Sequence, residues 1–515
     1  MKGARTIIFL ASFLSITPSV VFAEGGYRNG DLLLALRNER ESSVGGAIRS
    51  HYSAAPATLH LIDSISISGA AITADIERFD QPIVMQAGSG HNDYSLSAES
   101  YYKLSPTSTI TGRAAYSNGS IRSVTFSDAV DYATVAPFVI GDDTGGNFNR
   151  QQYSFGGGWG HTFDAWALGV EADYSAAIAH RAIDPRVKNT VSDLGVRIGG
   201  GRTIGSSYML GISAGIRTYN QDIDVDFYNP TTHAITYVFT GLGSVSNRFK
   251  GADTQTASHS LIGFNAVIQL VPLTKSNRFY ATLSGDFSTV NLILHGYRDL
   301  SFGSTATKKA NLCVSRLFSV NRLTVLPTVS AALSKRTATE NLFGSSDENY
   351  LKIGERKNYF HNCYRVAVSI PGNLSLSQRT LMSASLHGEY LHDNEYLPQP
   401  SRSLKTDCVL LGVAIGATQR FGRHWTGGAN IGMDSRSILS TSAAWGGLDL
   451  TTPEGEMTLS NYRMRSCDAT MLTAGLSLSR AINSVAVTLS ATYHHSNFSD
   501  INSGDRIVSA LSLTF

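Results

Sequence analysis

The chain closes on Asp505-Arg506-Ile507-Val508-Ser509-Ala510-Leu511-Ser512-Leu513-Thr514-Phe515, and the reading of this stretch decides the fold. At period two, Ile507, Leu511, Leu513 and Phe515 share one face, while Arg506, Ser512 and Thr514 share the other. Such alternation marks a strand whose two faces meet different surroundings. A phenylalanine ring gains nothing by standing in water at a chain end. On a lipid-facing strand the ring sits at the membrane interface, and the polar face finds water on the other side. The stretch therefore predicts a closing transmembrane strand.

The opposite end agrees. Lys2 and Arg5 precede an apolar, uncharged run over 6–21, and Val21-Phe22-Ala23 forms a small-x-small cleavage site before Glu24. This predicts a secretory signal over 1–23. Ser12, Ser15 and Pro18 leave the run too short and broken for a membrane anchor. Loss of the signal takes the formal charge of +2 to about zero, which argues against a nucleic-acid partner. Charged residues are 16% of the chain, below the roughly 25% of soluble domains, and Gly, Ser, Thr and Tyr take their place. A chain so poor in charge, with no apolar run of helix-spanning length, is either an all-β soluble protein or a β-barrel in lipid. The two ends favour the barrel.

The sequence between them predicts an all-β, transmembrane antiparallel β-barrel over 61–515, of about 18 strands, with 14 or 16 as alternative counts. The clearest strand is 166–178, where Trp166, Leu168, Val170, Tyr174 and Ile178 oppose Ala167, Gly169, Glu171, Asp173 and Ser175. A face of Gly, Ser, Thr and scattered charge fits a wet lumen. Connections alternate in length. Short ones near 105–108, 163–165, 204–207, 272–277, 320–321, 373–378, 421–424 and 482–483 are assigned to the periplasm. Long ones near 119–149, 220–256, 336–357, 393–404 and 437–465, with shorter partners at 180–188 and 496–504, are assigned to the outside. Trp159, Phe163, Trp166, Phe421 and Trp425 gather at the short-turn end, where an aromatic girdle belongs. Residues 24–60 do not alternate, and are expected either in the periplasm or inside the barrel mouth.

The last strand resembles the closing strand of bacterial outer-membrane β-barrels, and the resemblance implies that Phe515 is the assembly signal. The stretch from about 94 to 220 is similar to an uncharacterised outer-membrane β-barrel family of Bacteroidota, a domain of unknown function. The matching features are Ala115-Tyr116-Ser117-Asn118, Ala136-Pro137-Phe138-Val139, Asp184-Pro185-Arg186 and Asp193-Leu194-Gly195-Val196. This resemblance implies a barrel in the outer membrane and brings no assigned activity.

Signatures of chemistry are few. His259-Ser260 and His494-His495-Ser496 have the residue types of a hydrolase couple, and His91-Asn92-Asp93 and His392-Asp393-Asn394 those of a protease rim. Adjacent residues on a strand point to opposite faces, so loop polarity is the favoured reading. Asp222, Asp224 and Asp226 would share a face if extended and could seat Ca²⁺, but carboxylates held apart in water are the favoured alternative. Asp184 and Arg186 are expected to pair and order the rim, with ligand contact as the alternative. The lumen candidates Glu99, Glu171, Asp173, Asp193, Asp286 and Glu389 face Lys103, Arg113, Arg197, Arg217 and Arg365. An interleaved set suggests cross-lumen ion pairs more than ion selectivity. Cys313, Cys363, Cys408 and Cys467 match no zinc spacing and are expected near the outer ends of alternate strands, unpaired or joined only if loops fold back.

No catalytic role, cofactor or metal is expected. The expected function is a passive channel or transporter for small solutes in the outer membrane. The alternative is a filled barrel that binds partners at the surface through loops holding Trp445 and Tyr228. An outer-membrane hydrolase ranks third. Expected partners are outer-membrane lipid and lipopolysaccharide, the barrel-assembly machinery, and a surface lipoprotein or TonB-dependent receptor.

Overall fold

The computed structural model describes residues 42–515 apart from 64, 230–234, 252–254, 275–277, 345–349, 423 and 500. The expected signal at 1–23 and residues 24–41 lie outside the described residues.

In chain order the strands begin with β1 (Ile67–Phe79), β2 (Gly90–Ser105), β3 (Ser108–Val124), β4 (Val139–Gly141), β5 (Gly146–Phe163) and β6 (Trp166–Arg181). Next come β7 (Arg186–Ile204), β8 (Tyr208–Asp226), β9 (Thr236–Gly241), β10 (Ser244–Gly251), β11 (Gln255–Pro272) and β12 (Phe279–Leu294). Then follow β13 (Leu300–Arg316), β14 (Phe318–Val320), β15 (Leu323–Val325), β16 (Thr328–Phe343), β17 (Lys352–Ser375) and β18 (Thr380–Leu397). The last are β19 (Arg402–Phe421), β20 (Trp425–Ala444), β21 (Ala469–Ile482), β22 (Val485–Phe498) and β23 (Asn502–Thr514). Setting aside β4, β9, β10, β14 and β15, the long strands form a closed antiparallel barrel of 18 strands. β1 closes it against β23, with Gly69 opposite Thr514 and Phe79 opposite Gly504. The seam extends one residue further, where Phe515 N–H donates to the Ser68 carbonyl (2.9 Å) and Ser68 N–H to the Phe515 carbonyl (2.8 Å).

Period-two alternation produces this wall. On β6, Trp166, Leu168, Val170, Tyr174 and Ile178 are exposed on the outside, while Ala167 and Glu171 are buried within. Ile72, Leu96, Ile198, Leu411, Leu476 and Leu489 continue the apolar band around the outer surface. So much exposed hydrocarbon is stable only against lipid. No helix among the described residues is long and apolar enough to cross a membrane.

The short turns and long connections fall at opposite ends. Two of the expected long loops are mostly strand: β16 and β17 leave only residues 344–351 between them, and β18 and β19 only 398–401. Above the bilayer the outer face of a hairpin also meets water, so the outward apolar positions disappear while the backbone ladder continues.

The bore is filled at both ends, which the sequence did not decide. At the short-turn end lie helix α1 (Ser43–Tyr52) and a 3₁₀ turn at Pro56–Leu61. Ser42 caps α1, its Oγ accepting from Gly45 N–H at 2.8 Å. Val44 and Ala57 pack on Ala167, Met209, Val271, Tyr280 and Leu326 of the wall and its turns. Residues 42–61 thus form a stopper inside the mouth rather than a periplasmic extension.

At the other end, the β3–β5 connection dips into the bore with helix α2 (Tyr132–Val135), and β4, β9 and β10 make a three-stranded sheet there. Helix α3 (Pro453–Arg465) completes this cap. Phe126, Phe138, Ile140, Val238, Phe239 and Phe249 meet the inward-facing Phe148, Ile223, Leu261, Leu292 and Phe302 of the wall. The Phe138 and Phe302 rings meet edge to face, 5.2 Å apart. Each such side chain contributes about 1.5–3 kcal/mol on burial. The expectation of a wet lumen therefore fails in the outer third, where part of the inner wall is as dry as a soluble core.

Candidate functional site: the polar bore

Between stopper and cap, the inner wall carries the charged residues expected of a lumen. Arg113 on β3 reaches both Glu171 (3.2 Å) and Asp173 on β6. Arg197 on β7 pairs with Glu171 at 2.5 Å. Arg217 on β8 forms a two-pronged contact with Asp193, 2.8 Å in each arm. Arg365 and Glu389 pair at 3.0 Å on β17 and β18. Asp286 lies opposite Lys309 in the β12–β13 register, and Glu99 opposite Arg113 in β2–β3. The pairs run along the wall between strands one or two apart and do not cross the bore, which corrects the cross-lumen expectation. A barrel of this girth is wider than two side chains can span. Glu99, Arg113 and Asp286 remain exposed, so this band is wet.

One sector is lined by small and polar side chains through the middle of the bore. Ser512, Ala71, Ser97 and Ala115 stand side by side on β23, β1, β2 and β3, and Ala510, Thr73, Ser95 and Ser117 form the next row. All are small and only half-buried. Above them Arg506 grips Asp75 through two hydrogen bonds of 2.8 and 2.6 Å. His91 lies 3.3 Å from Asp75 and 3.4 Å from Glu77, and Arg150 pairs with Asp93 at 3.0 Å. The apolar core of the cap rests chiefly against the adjoining sector, from β5 through β13. Sequence reading found the mid-bore charges but missed this column, because the Ser and Ala rows look like any polar strand face until the register aligns them.

The stopper is held largely by hydrogen bonds. His51 bonds Thr282 (2.9 Å) and Ser315 (2.8 Å) through its two ring nitrogens. Tyr101 donates to the Leu59 carbonyl (3.1 Å), Lys103 to that of His60 (3.1 Å), and Arg197 to that of Ala54 (3.2 Å). His60 meets Thr162 at 2.7 Å, and burial lowers its pKa to about 4. The cap has polar anchors as well: Arg465 on α3 pairs with Asp393 (2.9 Å) and Glu395 (2.8 Å), and buried Arg436 donates to the Met464 and Cys467 carbonyls.

The hydrolase and protease candidates have other partners. His259 is buried and bonds the Phe138 carbonyl at 2.9 Å, pinning the cap, while Ser260 follows it on the opposite face. His494 bonds Thr473 and His495 bonds Asp505, each at 2.9 Å. His392 pairs with Asp407 at 2.6 Å, away from Asp393. None of these candidates forms a His–Ser couple. Among the described residues, no group of three or more His, Cys, Asp or Glu could hold a metal. Asp222, Asp224 and Asp226 lie on β8, where Asp224 faces Lys188 and Asp226 faces Arg186 across the β7–β8 ladder. Asp184 accepts from the Tyr228 N–H (3.0 Å) and lies 3.4 Å from Arg186, whose guanidinium covers the Tyr228 ring. The loop residue Tyr228 is exposed, whereas Trp445 packs on Tyr462 of α3.

None of the four cysteines is joined in a disulfide. Cys363 and Cys408 pack on Leu391, and Cys467 lies beside Arg436. Cys313 departs from the expected outer position: it stands three residues from the short-turn end of β13. Trp159, Phe163, Trp166, Phe421, Trp425 and Phe515 are all exposed at the short-turn end. A second belt, missed in the sequence, lies toward the other end, with Tyr94, Tyr153, Tyr174, Tyr364, Tyr390 and Tyr493 exposed on the outer wall. Counting outward positions up each strand from its short turn would have found it.

The pattern of a family of unknown function, DUF6850, matches residues 56–515, the whole barrel and the 3₁₀ turn of the stopper. The chain belongs to this family. No protein of curated function matches the DUF6850 sequence. Among solved structures, it is similar to a FadL homologue of Pseudomonas aeruginosa, at 11% identity and TM-score 0.35, over 96% of this chain and 99% of that one. It is similar to the ferric citrate transporter FecA in its unliganded form at 8% identity and TM-score 0.39, over 88% and 79% of the two chains. The monoaromatic hydrocarbon channel CymD gives 10% identity and TM-score 0.30, over 91% and 92%. Similarities this weak add nothing to the reading of the DUF6850 residues themselves.

Proposed function

We propose that this DUF6850 barrel resides in the outer membrane and passes small polar solutes by a non-enzymatic route that is closed at rest. One observation carries the reading: the inner wall is asymmetric. The dry core of the cap seals one side, whereas β22, β23, β1, β2 and β3 present small, half-buried polar side chains and a charged column. A barrel built only to be filled has no need of a wet sector. Solutes follow that sector, and the stopper, held chiefly by hydrogen bonds, is the part that moves. The test is liposome swelling with the intact protein and with Gly169→Val, which crowds the stopper. Swelling that rises in Gly169→Val and falls severalfold when Ser97→Trp is added supports the route. Absence of swelling in all three proteins sinks it.

A second reading draws on the cap. Its apolar core is large enough to stay folded, so a filled barrel that offers the cap to a surface lipoprotein or TonB-dependent receptor is the alternative. That reading expects no permeation from any variant.

A further inference from the structure

Lys308 on β13 and Lys335 on β16 stand directly opposite each other in the antiparallel register. Both side chains are exposed on the outer wall. Below them the outward positions include Leu333 and Leu312, and Phe287 stands beside Lys308 in the β12–β13 register; each is more than two-fifths exposed. Above them they turn to Ala306 and Thr337, then Ser304 and Thr339. On the next strand Asn362 faces Lys335, and Tyr364 of the upper tyrosine belt faces Leu333. The lysine pair therefore marks the line where the apolar band ends at the capped end of the barrel.

Like charges directly opposite on neighbouring strands repel and destabilise the ladder. Elsewhere around this rim, outward cations meet carboxylates: Lys188 faces Asp224, Lys405 lies 3.5 Å from Asp407, and His495 bonds Asp505. Among the described residues, neither Lys308 nor Lys335 has an acidic partner. The contact Lys308 does make is with the Phe287 ring, 6.0 Å from its ammonium. A ring beneath the cation leaves the ammonium pointing to the headgroup layer.

We propose that Lys308 and Lys335 together bind the phosphate of an anionic lipid headgroup in the leaflet at the capped end. One phosphate between two ammonium groups removes their repulsion, and Asn362 and Thr337 stand nearby as neutral donors. The hydrocarbon beneath receives the acyl chains. The site requires the barrel in lipid but is independent of whether solute passes the bore.

The test is native mass spectrometry of the purified barrel, released from micelles holding one defined lipid at a time. The probes are phosphatidylglycerol, phosphatidylcholine, and lipid A with and without its phosphates. Interfacial cations give about a fivefold preference each for anionic lipid, so Lys308→Gln/Lys335→Gln is expected to weaken retention about thirtyfold. Lys308→Arg/Lys335→Arg is expected to keep it. Retention of phosphatidylglycerol alone assigns the site to phospholipid, and retention of phosphorylated lipid A alone assigns it to that source. Equal retention of phosphatidylcholine and phosphatidylglycerol, together with indifference to the lipid A phosphates, overturns the proposal. So does a Gln double variant that is heat-modifiable like the parent and binds as well. Should the Gln variant fail to fold, loss of binding in the folded Arg variant overturns it.

Discussion

The carboxyl group of Asp128, on the inward loop of the cap, lies 3.5 Å from the guanidinium of Arg181 at the end of β6. Arg181 also pairs with Asp142 and donates to the Pro185 carbonyl at 2.9 Å, and the whole group is buried. One buried cation thus serves two carboxylates. Burial, reinforced by the neighbouring Asp142, raises the pKa of Asp128 well above the ordinary carboxylate range.

The sign of the pH dependence follows. Stability from a raised carboxyl pKa is fully present below the unfolded value and is lost as pH rises through the folded one. The cap is expected to resist protease better under mild acid than at neutral pH. Asp128→Asn should flatten that dependence as pH rises above the ordinary carboxylate range of about 4. Arg181→Met should instead weaken the cap by about 3–5 kcal/mol, because it strands buried charge. Limited proteolysis of residues 125–145 across pH reads both. Equal pH profiles for Asp128→Asn and the parent would refute the assignment.

His60 gives the stopper the opposite response. Its pKa, lowered from 6.5 to about 4, means that stability is complete above 6.5 and is lost as pH falls toward 4. The loss approaches about 3 kcal/mol at the acid limit. Cleavage of α1 by an acid-active protease, scaled to its rate on an unfolded peptide at each pH, should therefore accelerate over that window, and less so in His60→Gln. A cleavage rate that does not change with pH would count against a buried neutral imidazole.

The wall passes close to the stopper at Gly169: a Cβ there would lie 2.2 Å from the Pro56 carbonyl oxygen. Gly169→Val should leave the barrel heat-modifiable but weaken the seat of the stopper by about 1–3 kcal/mol. Faster cleavage after Arg49 with an unchanged barrel melt is the expected pair of results. A barrel melt lowered in step with the stopper would show that the two are one cooperative unit.

Arg465 ties α3 to β18. Arg465→Leu leaves Asp393 with His361 and Glu395 with the Tyr359 hydroxyl but removes their shared guanidinium, costing about 2 kcal/mol given partial contact with water. Protease sensitivity of residues 445–468 should rise. Adding Asp393→Asn should recover part of the loss, since coupled pairs are not additive. Strict additivity would mean that the helix is held by packing alone.

The alternation of Ile507 to Phe515 and of Trp166 to Ile178 was sufficient to determine the class of this chain. Period two with apolar residues on one side has a low-energy arrangement in lipid, the closed ladder, and alternating turn lengths set its strand count and direction. The mid-bore charges Arg113, Glu171, Arg197 and Arg217 were legible for the same reason, since each is a lone polar mark on a strand face. The fate of the bore was not. Whether Phe138, Phe239 and Phe249 hang in water or pack on Phe302 depends on loops folding back over strands far away in sequence, and no local period records that. Equally, Ser97 and Ala71 become neighbours in one row, and Lys308 and Lys335 a pair, only once hydrogen-bonded register sets them side by side.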